Sequence, residues 1–186
     1  FLNIDEWALL IKASEKTQLP ILRNALGLAP MFSSTEDISP LKNHILSTCI
    51  TQILRDESGS PSKKDRIISI LQKFHTEDIC LSKEFTYVDK DGTHHTNVLI
   101  DTVRGVPQTL PCSIRNCLTV HFGDMKGIDH LIFYFEQKNE DGSFRFLSDT
   151  FKMPSYEAYK KFDFNKLEDA LDIAILYEEA HGNRQI

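Results

Sequence analysis

The sequence predicts an α+β domain: a mostly antiparallel sheet of about four or five strands in two hairpins, flanked by helices. Three observations carry that expectation. Apolar residues recur at helical spacing through residues 1–76. After Glu77-Asp78 the pattern changes to alternation broken by two Asp-Gly pairs, and the last part of the chain returns to helical spacing. Strands grouped together, rather than alternating with helices, favour antiparallel pairing. The same switch divides the chain into a helical segment, 1–76, and an α+β core, 77–186, read as parts of one domain.

The first expected helix has Asn3 as cap, Glu6 three residues on, and Leu2 placed to staple onto Trp7. Pro20 suits a first helical position and Gly27 a terminal one in the short helix that follows. Ser39-Pro40 opens the clearest helix, where Leu41, Ile45, Leu46, Cys49, Ile50, Ile53 and Leu54 form a broad apolar stripe. A Ser/Gly/Pro stretch over 58–61 ends it and starts a helix carried by Ile67, Ile68, Ile70, Leu71 and Phe74.

Phe85, Tyr87, Val98 and Ile100 fall on one face if Asp91-Gly92 is a two-residue hairpin turn. Residues 104–116, with Gly105, Pro107 and Pro111, read as a loop, and 117–122 as a short strand. His130 to Gln137 reads as the strongest strand, because aromatic and β-branched residues crowd together there. Asn139 to Gly142 turns the chain back into Phe144–Leu147. Both faces of that strand are apolar, so both need covering, one by helices and one by a further layer or a partner. Tyr156 to Phe162 reads as a short helix. Asn165 then caps a final helix with Glu168 three residues on, and Gly182 ends it.

Composition excludes several functional classes. The net charge is -6, split as +1 over 1–76 and -7 over 77–186. An acidic half without a basic stripe repels phosphate backbones, so no nucleic acid is expected as a partner. No apolar stretch approaches the roughly 20 residues of a membrane span. Four cysteines, 49, 80, 112 and 117, are too few for a disulfide scaffold. With no Asn-x-Ser/Thr acceptor present, they point to free thiols in a reducing, cytoplasmic setting.

One constellation points to catalysis. Cys112, His130 and Asp149 supply a thiol, a base and an orienting carboxylate, as a thiol hydrolase or acyl transferase requires. Pro111-Cys112-Ser113 at a helix start would lower the thiol pKa. Register decides whether the other two meet. A two-residue Asp141-Gly142 turn separates Asp149 from His130 by roughly 13 Å. A four-residue loop, 139–142, makes them diagonal neighbours. A second constellation, Cys112, Cys117, His121 and His130, has ligand types suited to structural zinc. Asp89-Lys90-Asp91-Gly92 lacks the closing Glu of a calcium loop, and His94-His95 read as a solvated turn flank. Phosphate-loop spacing is absent, and no cofactor is expected. The leading expectation is therefore a non-catalytic interaction domain, of the adaptor, secretion-chaperone, inhibitor or effector-module type, that binds a protein partner.

Overall fold

The computed structural model describes residues 18–32, 37–100, 106, 108–154 and 164–185. The fold is α+β, and every strand pair among these residues is antiparallel. The predicted helices over 1–14 and 156–162 lie outside the described residues. The chain divides into two compact units, 1–38 with 150–186, and 39–149. The division drawn at 76 marks a change of periodicity rather than a unit boundary, because the helices on both sides of 58 belong to the second unit.

The first unit pairs α1 (Gln18–Leu28), continued by a 3-10 turn (Ala29–Phe32), with the final helix α6 (Leu167–Gln185), which a 3-10 turn (Phe164–Lys166) introduces. Leu22, Ala25 and Leu26 of α1, and Ala170, Ile173, Ala174 and Tyr177 of α6, are buried. Alanines on both helices permit close approach. Asn24 donates to Glu178 across the pair. Gly182 does not end α6, which runs on to Gln185; glycine costs a helix interior about 1 kcal/mol without forbidding it. Gly27 likewise lies inside α1, with the 3-10 turn beyond it.

In the second unit, α2 (Ser39–Arg55) and α3 (Ser60–Lys73) both open on Ser-Pro, as expected. Proline suits a first turn because its missing N–H would have no partner there. The apolar stripe of α2 is buried, and so is its polar face at Asn43, His44, Ser47, Thr48 and Thr51. Asn43 accepts from the Thr76 hydroxyl at 2.6 Å, and His44 Nδ1 accepts from the Ser148 N–H at 2.9 Å. The buried Lys63 ammonium donates to the Leu54 carbonyl at 2.9 Å, satisfying one of the acceptors left at the end of α2.

The sheet differs from expectation in detail. Instead of one sheet, three two-stranded ladders form among the described residues: β1 (Tyr87–Val88) with β2 (His94–His95), β3 (Asn97–Ile100) with β4 (Gln108–Pro111), and β5 (Val120–His121) with β6 (Asp124–Met125). Tyr87 faces His95, and Val98 faces Leu110 rather than the first strand. The Asp91-Gly92 hairpin exists, but its loop has three residues. Asp89 N–H donates to Thr93 C=O, Gly92 N–H donates to Asp89 C=O, and Gly92 has φ +82°. A type I turn followed by a left-handed glycine produces this loop. Asn139 to Ser143 repeats it with the same two bonds and Gly142 at φ +85°.

Two further expectations are corrected. The supposed loop 104–116 contains β4 and a one-turn helix, α4 (Ile114–Cys117). Pro111 is tolerated at the last position of its strand, and Ser113 caps the turn by accepting from Asn116 N–H at 3.1 Å. Cys117 therefore ends a helix instead of starting a strand, and it does not share a strand face with His121. The larger correction concerns 130–137. Ile128–Phe135 is a helix, α5. Leu131, Tyr134 and Phe135 are buried at i, i+3 and i+4, a helical spacing hidden within an apolar run short enough to suit either element. The helix starts at Gly127, which packs directly on Cys117.

Candidate functional site

Strand propensity lost at 128–135 because the helix satisfies two neighbours at once. On one side Tyr134 stacks on Phe85 with ring centres 4.0 Å apart, meets Phe146 edge-on at 5.3 Å, and donates its hydroxyl to the Asp78 carbonyl at 2.6 Å. Burial pushes its phenol pKa up to about 12, so the hydroxyl stays a donor. On the other side His130 and Phe133, one turn apart, lie against Tyr87 at 4.9 and 5.8 Å.

Phe85 and Tyr87 thus bind residues 84–88 to α5, and a cleft of about 400 Å³ opens beside them. Four consecutive residues, Lys83 to Thr86, line it together with Tyr134, Gln137 and Arg145; Thr96 and Pro111 complete the lining. The buried Phe85–Tyr134 stack forms part of its wall. Its charges are Lys83, Glu84 and Arg145. Arg145 pairs with Asp78 at 3.2 Å, while Lys83 and Glu84 have no ion-pair partner among the described residues. The buried Oε1 of Gln137 accepts no hydrogen bond among the described residues.

A second cluster lies around Tyr87. His95 stacks on it at 4.7 Å and meets the Asp89 carboxylate through Nε2 at 2.7 Å. Hydrogen bonds from His95, Thr93 and Asp91 hold the Asp89 carboxyl below the usual carboxylate range. Burial, then the nearby Cys112 and Cys117, push Tyr87 up to about 12. Sequence reasoning placed His95 in solvent. The missed signal was Asp89, whose Asx-turn chemistry at a hairpin start sets the carboxylate facing a strand neighbour.

Among the described residues no hydrogen bond links Cys112, His130 and Asp149 to one another. Cys112 is 1% exposed, one residue before the Ser113 cap. Burial raises its thiol pKa, against the lowering expected from a helix start, because removal from water outweighs the weak end-field of a single turn. Cys117, hydrogen-bonded to it, is also raised by burial. His130 sits on α5 and not on a strand, and the hairpin around 139–143 does not reach back to it, so the register argument that linked it to Asp149 does not apply. Burial, with a smaller push from His95, lowers its pKa, and its Nδ1 has no partner among the described residues. Asp149 is an exposed turn residue with no hydrogen bond or ion pair among the described residues.

The proposed zinc ligands do not assemble either: among the described residues no three His, Cys, Asp or Glu side chains gather to hold a metal. His121 instead lies against the ring of Phe122, at 4.3 Å. Also among the described residues, no helix is long and apolar enough to cross a membrane. Compared with protein-family models, curated proteins and solved structures, the chain matches none.

Proposed function

We propose that this chain is a protein-interaction module and that its 39–149 unit receives a peptide segment of a partner in the cleft beside Lys83–Thr86. The cleft carries the reading. It sets a buried aromatic pair, Phe85 and Tyr134, beside backbone and charged groups that have no partner among the described residues, the mixture that fixes and orients a bound peptide. It holds no thiol, and its phenol is held protonated. A thiol-hydrolase reading draws less support, since Cys112 is buried, its thiol is held protonated, and the charges acting on His130 come from His95 and Asp129.

Panning a random displayed-peptide library on the immobilised protein tests the proposal. Thr96 is exposed and lines the cleft, so Thr96→Arg fills it without disturbing buried packing. Enriched peptides should lose about tenfold or more in affinity for that variant, a loss of roughly 1.4 kcal/mol, while the thermal midpoint stays unchanged. Equal affinity for both proteins, or no enrichment over a blank surface, refutes it.

A further inference from the structure

We infer that the bound segment is extended, adds as a β-strand along the open edge of residues 84–88, and sets a carboxylate against Lys83; this deepens the interaction reading above and rests on it.

The hydrogen-bond pattern identifies the edge. In an antiparallel ladder, alternate residues send both backbone groups to the same side. Asp89 bonds Thr93, which makes Tyr87 and His95 a bonded pair and Val88 and His94 an unbonded one. Phe85 N–H donates to Cys112 C=O at 2.9 Å, and Glu84 forms an antiparallel bridge with Ser113. Residues 85, 87 and 89 therefore all face the paired edge. The first meets the end of β4, while the other two meet β2 and its turn. Cys112 closes the arrangement by donating to Thr96 C=O at 2.9 Å.

By the same alternation, Glu84, Thr86 and Val88 send their N–H and C=O groups to the opposite edge. None of these groups has a hydrogen bond among the described residues. Their side chains are exposed, while those of Phe85 and Tyr87 are buried. Three residues at a spacing of two offer donors and acceptors over roughly 13 Å, a pattern matched by one extended backbone. Proteins usually blunt such edges with proline, a bulge or a cover, and 84–88 carries no proline.

The charges and the cleft select the occupant. The edge shares Glu84 and Thr86 with the cleft, so side chains on an added strand have space beside it. Arg145 is already engaged with Asp78, and Lys83 is the cation available. A segment carrying a carboxylate neutralises it. A second copy paired antiparallel about Thr86 would instead set Asp89, already held by His95, opposite Lys83.

Peptides enriched by the panning above serve as probes. Each is resynthesised with N-methyl groups on either alternate set of residues. One set should weaken binding about tenfold or more and the other should leave it nearly unchanged, because only one set of N–H groups faces the edge. On the protein, Thr86→Pro removes one edge donor and should weaken binding similarly, while Thr86→Ala retains it. Lys83→Glu should lose about tenfold, and exchanging the peptide's carboxylate for a lysine should restore it.

Equal tolerance of both N-methylated sets overturns the strand addition. The interaction proposal survives that result if Thr96→Arg still abolishes binding. Absence of any enriched peptide removes both. Peptide-free protein whose mass doubles with concentration, and reverts in Thr86→Pro, overturns the partner in favour of a second copy.

Discussion

Gly127→Ala isolates the contact on which α5 is seated. A Cβ built on Gly127 meets the Cys117 carbonyl oxygen at 2.5 Å, with the Cys117 Cα and Cβ closer still. Gly127 has φ -99° and ψ 16°, a conformation open to any residue, so strain in the backbone contributes nothing. The loss is steric. Two of the three atoms met belong to backbone, which cannot rotate aside as a side chain would. Reaching ordinary contact requires α4 and the start of α5 to separate by about 1 Å or more, in a region where Cys117, Leu118 and Leu131 are all 0% exposed. Overpacking of this kind costs about 1–3 kcal/mol, and the backbone contact places this case near 3. For a chain of this length the midpoint should fall by roughly 6–12 °C. Urea unfolding followed by far-UV circular dichroism measures it. A control sharpens the test: Cys117→Gly removes only the Cβ contact, so the double variant should recover little. A loss below about 1 kcal/mol, or full recovery in the double variant, refutes the seating of α5 on the Cys117 backbone.

Three further outcomes follow from the geometry. Phe122 is 93% exposed at φ +49° in the β5–β6 turn, where asparagine is favoured, so Phe122→Asn should stabilise the protein by about 0.5–1 kcal/mol in thermal unfolding. A decrease in stability would contradict that assignment of strain. His130 has a native pKa below its unfolded value, so its contribution is intact above the unfolded value of about 6.5 and is lost as pH falls from there through the lower native value. His130→Gln should accordingly flatten the decline in thermal midpoint between about pH 7.5 and 5.5, and an unchanged slope would mean that the imidazole is not held neutral by burial. Thiol labelling at neutral pH should modify Cys80, the least buried cysteine, before Cys112 and Cys117, which should react only on unfolding. Fast labelling of Cys112 would revive the thiol-hydrolase reading.

Helices with a broad stripe and a Ser-Pro start were legible because local signal and burial agree there: α2 and α3 begin at the residues expected of them. Asp-Gly marked both hairpins, but the length of each loop depends on a third residue. Asp89 and Asn139 carry the side chains and backbone that close it, and a dipeptide rule does not see them. The cleft was illegible for a different reason. Its lining comes from 83–86, 96, 111, 134, 137 and 145, brought together by α5, the turn after it and strands of two to four residues. Such strands are too short for alternation to rise above chance, and Pro111 argued against a strand where one exists.

The apolar run 128–135 shows how one misassigned element changes a functional argument. As a strand it has two apolar faces, and an uncovered face calls for a partner. As a helix, the same residues turn Leu131, Tyr134 and Phe135 into the unit and His130 and Phe133 onto Tyr87. Both faces are then covered by the chain itself, and that reason for a partner disappears. What replaces it lies on the strand that α5 supports. Packing Phe85 and Tyr87 onto the helix fixes residues 84–88 in extended form with one edge paired and the other open. The case for the proposed partner thus moves from apolar area, which is non-directional, to a row of backbone donors and acceptors, which would specify an extended conformation in a bound segment.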